Sequence, residues 1–426
     1  MTALLDAYAG AAGEGAVEQL RQLARPLEGR RIVHVNSTKS GGGVAEILEK
    51  LVPLTRELGI DATWEVLEGN DDFYRCTKAF HNGLQGADVK LSRKLLDAYE
   101  ETNAENAGRL APALRDADFV FIHDPQPAPL LSLIPDRKGI WLWRCHIDLS
   151  RPNLDVWRYL VPFVEPYNAS IFSLDAFARK LPHPRYLIPP SIDPLSAKNE
   201  ELPEEEIAAV RDEFGLDPDS PMILQVSRFD RFKDPVGVVQ AYRLARKFSP
   251  GLQLVLAGGT ATDDPEGEEV LEEVREAGQG DPGLHILLLP PDAHRTINAL
   301  QRSADIVLQK SLKEGFGLTV TEGMWKGKPV IGGKVGGIRL QLVDYQTGFL
   351  VSSPEGAALR IRQLLRDRKL SEEIGVRARE LVRSQFLLTR LLREHLSALH
   401  ALDRGRHRLD LTRLEPVAGA AASGDA

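Results

Sequence analysis

Short apolar runs alternate with longer amphipathic stretches along almost the whole chain. A run too short for a helix and bounded by turn residues reads as a buried strand. Such runs occur in the first half at residues 31–35, 63–67, 119–123, 140–145, 170–173 and 186–188. In the second half they occur at 222–226, 252–257, 285–289, 306–309, 329–331 and 349–351. Between them, apolar residues return at helical spacing, as at 44–58 and 154–166. Strand, helix, strand at this spacing predicts an α/β fold of parallel, doubly wound sheets with helices on both faces.

The halves meet at "LIPPSIDPLSAKNEELPEEE", whose four prolines and charged run have linker composition. This predicts two Rossmann-like domains, 1–193 and 194–385, facing a central cleft. After Gly375 the pattern is wholly helical. A closing helix at 386–410 that crosses back to the first domain accounts for so long a helical end. The last residues, 411–426, are mostly small or polar and are expected to be disordered.

Composition narrows the function. With 426 residues and 43% hydrophobic content, the chain can build more than one core. A net charge of -8 argues against nucleic acid as the main partner, because neutralising phosphates needs a basic surface. Two cysteines, Cys76 and Cys145, give neither a disulfide framework nor a metal knuckle, which fits a reducing, cytoplasmic setting. The first 30 residues carry acids and no long apolar run, so no signal peptide is expected. No stretch is apolar for the roughly 20 residues of a membrane span.

In open α/β sheets ligands sit at the carboxyl ends of the strands, so the chemistry is expected in the loops that follow them. After the first strand, "NSTKSGGGV" carries Gly42 and Gly43 into a helix start. It is neither a P-loop nor a clean dinucleotide fingerprint. By itself it reads equally as a phosphate or sugar contact and as a plain turn. After the strand at 222–226, Arg228 and Lys233 stand five apart. They suit a diphosphate, or else a solvated loop paired with Asp230 and Asp234. "KEGFGLTVTE" sets Glu314 in a glycine loop and Glu322 in the helix beyond it. The amides of Gly317, Leu318 and Thr319 open that helix and could hold a phosphate oxygen, with the carboxylates taking sugar hydroxyls. The bland alternative is a helix-start carboxylate and a surface charge. "WRCHIDLS" puts His146 and Asp148 at a strand end, where a core histidine or a metal ligand would look the same. Zinc is rejected for want of ligand spacing. His81, Asn82 and Gln85 in "KAFHNGLQG" could bind an uncharged polyol, or be the polar face of a helix.

The two Rossmann-like halves, "GGGV", Arg228 with Lys233, the Glu314 and Glu322 pair and "IPPSID" together resemble glycosyltransferase family 4, from about Arg31 to about His400. "FYRCTKAFHNGLQG", "WRCHIDLS", "LAGGTATDDPEG" and "SLKEGFGLTVTEGMWKGKPVIGG" more closely resemble its trehalose synthase branch, with retaining trehalose phosphorylases as the runner-up. The resemblance implies a GT-B fold and a retaining transfer of glucose from NDP-glucose to free glucose, giving α,α-trehalose and NDP. It implies that Arg228 and Lys233 hold the diphosphate, Glu322 the ribose and Glu314 the donor glucose. Gly42 and Gly43 would approach the phosphate, and His146 the glucose hydroxymethyl. Asp148, His81, Asn82 and Gln85 are assigned to the acceptor. A homodimer is expected on the same ground.

No cofactor is required by this scheme, since Arg and Lys can neutralise the leaving diphosphate. Asp263 and Asp264 could bind Mg²⁺, though a solvated loop is the preferred reading. A nucleotide-sugar epimerase of the same fold is a further alternative. A dinucleotide oxidoreductase would want the missing G-x-G-x-x-G. The base of the donor and the acceptor residues stay open at this level.

Overall fold

The computed structural model describes residues 3–39, 43–259 and 265–405. Gly42, Asp263, Asp264 and the tail from 411 lie outside the described residues. Two parallel six-stranded sheets form the frame. The first holds β1 (Arg31–Asn36), β2 (Asp61–Val66), β3 (Phe119–His123), β4 (Ile140–Arg144), β5 (Ala169–Phe172) and β6 (Arg185–Leu187), in the order β2-β1-β3-β4-β5-β6. The second holds β7 (Met222–Val226), β8 (Gln253–Gly258), β9 (Leu284–Leu288), β10 (Ile306–Gln309), β11 (Val330–Gly333) and β12 (Phe349–Val351), in the order β12-β11-β10-β7-β8-β9. Each predicted strand is present, four with the predicted ends and the rest with ends moved by no more than two residues.

Alternation of side chains assigns each strand to two cores. In β3, Phe119 and Phe121 enter one hydrophobic cluster while Val120 and Ile122 enter the other. In β8, Leu254 and Leu256 face one cluster and Val255 and Ala257 the other. Burying each of the larger of these side chains, the Val, Leu, Ile and Phe, contributes about 1.5–3 kcal/mol. The strand order reverses between β1 and β3 in the first sheet and between β7 and β10 in the second. These are the switch points at whose carboxyl ends doubly wound sheets bind ligands.

Two helices that the strand pattern does not announce, α1 (Ala3–Ala12) and α2 (Glu14–Ala24), cover the first sheet together with the C-terminal helix Leu388–Asp403. Leu5, Tyr8 and Leu20 share one cluster with Leu391, Leu396, Leu399 and Phe121. The preceding helix Arg368–Gln385 packs Ala378 and Val382 against Val320, Met324 and Trp325 of the second domain. The chain therefore crosses between domains twice, near 189–194 and near 386–388.

The crossings are bonded to each other. Ile192 N–H donates to the Phe386 carbonyl at 2.8 Å, and Leu388 N–H donates to the Ile192 carbonyl at 2.9 Å. Arg390 is 3% exposed. Its guanidinium donates to the carbonyls of Pro189 at 3.0 Å and Pro190 at 2.8 Å, and to Glu394 at 2.7 Å. Proline carbonyls in a turn have no ladder partner, so Arg390 supplies one. Replacing Arg390 with Met removes these donors and strands Glu394. The expected cost is about 3–5 kcal/mol, read as a lower urea midpoint. Arg390→Lys, which keeps the charge without the fork, should recover only part of it.

Candidate active site

The cleft between the sheets holds a cavity of about 460 Å³. It joins a second of about 270 Å³, with Gly43, Ile47 and Leu318 lining both. The larger one is walled by the loops after β1, β3 and β4 on one side and after β7 and β10 on the other.

On the second-domain side, Asp230 caps a short turn, Arg231–Lys233, by accepting from Phe232 N–H at 2.7 Å. Gln225 of β7 fixes its end by donating to the Lys233 carbonyl at 2.9 Å. Lys233 Nζ is then 2.6 Å from Glu314 Oε2. The same oxygen accepts from Ser311 Oγ at 3.0 Å and Gln309 Nε2 at 3.4 Å. A second ion pair, Lys310 with Asp234, ties the same two loops together. Arg228 reaches Asp230 at 3.4 Å and keeps 61% of its side chain exposed at the cleft.

Glu314 precedes the start of the helix Leu318–Trp325. Gly317 caps it at φ 84, where a Cβ would stand 3.1 Å from Glu314 Cγ. Its open amides and dipole suit an anion. Gly336 lies at φ 44 beneath this loop, where a Cβ would fall 1.7 Å from the Glu314 carbonyl oxygen. Close packing there requires glycine, and Gly336 lines neither cavity. Glu322, 8% exposed, lines the smaller cavity and accepts from Gln301 at 3.4 Å. The alternative of a surface charge is thereby removed for Glu322.

Across the cleft, Gly43 begins α3 (Gly43–Glu57). His81 and Gln85, four apart at the end of α4 (Asp71–Leu84), both line the larger cavity. Asn82 does not, because one residue along a helix turns its side chain about 100° away from His81. Thr319 likewise lines neither cavity. Asp148 lines the larger one and accepts from Ser150 N–H at 2.8 Å. Lys313 bridges the domains by donating to the Gln85 carbonyl at 2.5 Å while lying over the Phe232 ring.

His146 ends a row of histidines. His34 Nδ1 meets His123 Nε2 at 3.0 Å, and His123 Nδ1 meets His146 Nε2 at 3.1 Å. His395 of the C-terminal helix stacks on His34. Burial lowers all four ring pKa values, His34 to about 3. Beside the row, Asp124 follows β3 at φ 62 and accepts from His146 N–H at 2.7 Å. Burial pushes its carboxyl up to about 7. Asp124 lines the cavity and was missed by the sequence reading. Its only signal was an acid directly after a strand at a switch point. Among the described residues no group of three or more His, Cys, Asp or Glu side chains is placed to hold a metal ion. No helix among them is long and apolar enough to cross a membrane.

Residues 34–179 match the family profile of the trehalose synthase N-terminal domain, and residues 206–381 that of group 1 glycosyl transferases. The trehalose synthase of Pyrococcus horikoshii is 46% identical over 93% of this chain and 96% of its own length. The chain belongs to the trehalose synthase family. The trehalose phosphorylase of Pleurotus pulmonarius is more distant, at 28% identity over 83% of this chain and 55% of its own length. Among solved structures, an α,α-trehalose-phosphate synthase (UDP-forming) from Burkholderia vietnamiensis superposes with a TM-score of 0.70, covering 88% of this chain and all of that one. At 16% identity this likeness speaks for the fold alone, which is the GT-B arrangement of two facing α/β domains.

Two outcomes are expected of this trehalose synthase homologue. Lys233→Met strands the Glu314 carboxylate, so it should cost about 2–4 kcal/mol in urea unfolding. Adding Glu314→Gln should return most of that loss, and strictly additive losses would refute the coupling. The histidine row predicts acid lability. Below pH 6.5 the unfolded chain takes up protons that the folded rings refuse. Stability therefore falls as pH drops from about 6.5 towards about 3, by about 1.4 kcal/mol per pH unit for each ring held neutral. Asp124 works the other way between about 7 and its unfolded value, but it is one group against four. Urea midpoints at pH 7, 6 and 5 measure the slope, which His34→Gln should flatten.

Proposed function

We propose that this chain transfers glucose from NDP-glucose to free glucose with retention, giving α,α-trehalose and NDP. One observation carries the reading. Cation, helix amides and buried carboxylate follow one another along two joined cavities, in the order that diphosphate and ribose have in a nucleotide sugar. Lys233 and Arg228 hold the diphosphate, and the amides of Gly317 and Leu318 take its oxygens. Glu322 binds the ribose hydroxyls in the smaller cavity. Glu314 orients the donor glucose. His146, Asp124, Asp148, His81 and Gln85 face it and hold sugar hydroxyls on the first-domain side. The family membership and the UDP-forming neighbour of the same fold support a nucleotide-sugar donor.

In the reaction the bond from the anomeric carbon to the phosphate oxygen breaks. The acceptor's anomeric oxygen bonds to that carbon on the same face, and its proton passes to the departing phosphate oxygen. No carboxylate nucleophile is used, in contrast to double-carboxylate glycosidases. The protein acts by placing the two sugars and stabilising charge that grows on the diphosphate. Resident Lys and Arg supply that stabilisation without a metal ion. Lys313 on the Gln85 carbonyl holds the domains together over the sugars, which excludes water from the intermediate stage.

Product analysis by NMR tests the proposal. With ADP-, UDP- or GDP-glucose, free glucose and no phosphate, the expected product is an α,α-linked disaccharide with released NDP. No disaccharide from any donor overturns it. Formation of α-glucose 1-phosphate from trehalose and phosphate would assign the phosphorylase reaction instead, and donor isomerised without glucose would assign an epimerase.

A further inference from the structure

A third cavity, of about 330 Å³, opens at the amino-terminal ends of β5 and β6, the far end of the first sheet from the cleft. Its lining carries Arg179, Lys180, Arg185, His183 and Ser170. Arg185 pairs with Asp175 at 2.6 Å. Arg179 and Lys180 make no ion pair among the described residues. Two positive charges therefore face this cavity uncompensated. A surface lysine and arginine alone would be an ordinary solvated patch. Here they adjoin two buried polar atoms with no partner, Ser170 Oγ and His183 Nε2. Ser170 is 1% exposed and sits in register with Arg185, its own N–H donating to the Pro184 carbonyl at 3.0 Å. Its hydroxyl is the orphan, and leaving such a group unbonded costs about 1–3 kcal/mol.

The orphans complement the cations. A hydroxyl can donate to an anionic oxygen. His183 Nδ1 lies 3.2 Å from the Glu165 carbonyl, an acceptor, so Nδ1 carries the ring proton and Nε2 presents a lone pair. A lone pair beside an anion site wants a hydroxyl hydrogen. We infer that this cavity is a binding site for a small phosphate monoester, whose phosphoryl group meets Arg179, Lys180 and the Ser170 hydroxyl while a hydroxyl on the ester donates to His183 Nε2. The site stands apart from the cleft and does not depend on the transfer reaction proposed above.

Titration calorimetry on the full chain at fixed ionic strength tests it, with inorganic phosphate and glucose 6-phosphate as probes. Saturable binding of one equivalent is expected, tighter for the sugar phosphate because only it carries carbon-bound hydroxyls that reach His183 while its phosphoryl oxygens stay on the cations and Ser170. Equal affinity for the two probes would keep the phosphoryl site and remove the role given to His183. Arg179→Ala with Lys180→Ala should weaken binding by about tenfold or more, since each lost charge-assisted bond is worth a factor of that order. Lys180→Ala alone removes an exposed side chain without touching the core, and should show a smaller loss in the same direction. Arg228→Ala, in the cleft, should leave the signal in place. The inference is overturned if neither probe saturates at tens of millimolar, or if binding survives the double variant and disappears with Arg228→Ala.

Discussion

The structure depends on how its two crossings between domains are tied. A chain that passes from one sheet to the other and back could do so at two separated places, which would lock the domains rigidly. Here the passages at Ile192 and at Phe386–Leu388 are hydrogen-bonded side by side. Arg390 clamps the proline turn to the returning helix. The seam therefore forms one line between the domains, along which both passages of the chain are bonded to each other. Tyr8, donating to Asp193 at 2.9 Å, braces the linker against the first domain. The desolvation of Arg390 is offset because its charge meets Glu394 and its fork meets two carbonyls that have no other donor. A buried arginine so placed specifies geometry more than it adds stability.

Across from the seam, the loops after β7 and β10 are laced by two ion pairs running in opposite senses, Lys233 to Glu314 and Lys310 to Asp234. Each lysine comes from the strand end that its partner does not. Neither loop can shift without breaking a pair in a partly dry setting. This holds the helix N-terminus and the cation in fixed relation before any ligand arrives, which is the condition under which electrostatic stabilisation acts without reorganisation. Glu314 is saturated by Lys233, Ser311 and Gln309 on one oxygen, Oε2, which leaves the other oxygen as its acceptor towards the cavity.

The frame was readable because parallel strands are buried on both faces. Their apolar runs are continuous, and nothing on a solvent side interrupts them. The loops were readable by the rule that ligands gather at carboxyl strand ends, which led to Glu314, Lys233, Arg228 and His146. Side-chain direction within a helix was less accessible. His81, Asn82 and Gln85 look alike as a polar cluster, and only the phase of α4 separates the first and last from the second. Asp124 escaped because a lone acid after a strand is common, and its left-handed backbone leaves no trace in composition. Helices α1 and α2 escaped because their partner, the helix Leu388–Asp403, lies at the other end of the chain.

The histidine row joins these parts. A neutral imidazole has one donor and one acceptor nitrogen, so in His34–His123–His146 the tautomer of any ring fixes the other two. With Nε2 of His146 committed to His123, Nδ1 is the nitrogen left for the cavity, and its role as donor or acceptor is set from inside the sheet. His395 stacks on the inner end of the row and comes from the helix that Arg390 begins to clamp. The helix that closes the seam thus also holds the polar thread that ends in the cleft. Charging His123, His146 or His395 would place a cation near Arg144, which is fully buried and whose own pKa burial lowers to about 10. The row is kept neutral by its surroundings, and a neutral row transmits orientation where a charged one would repel.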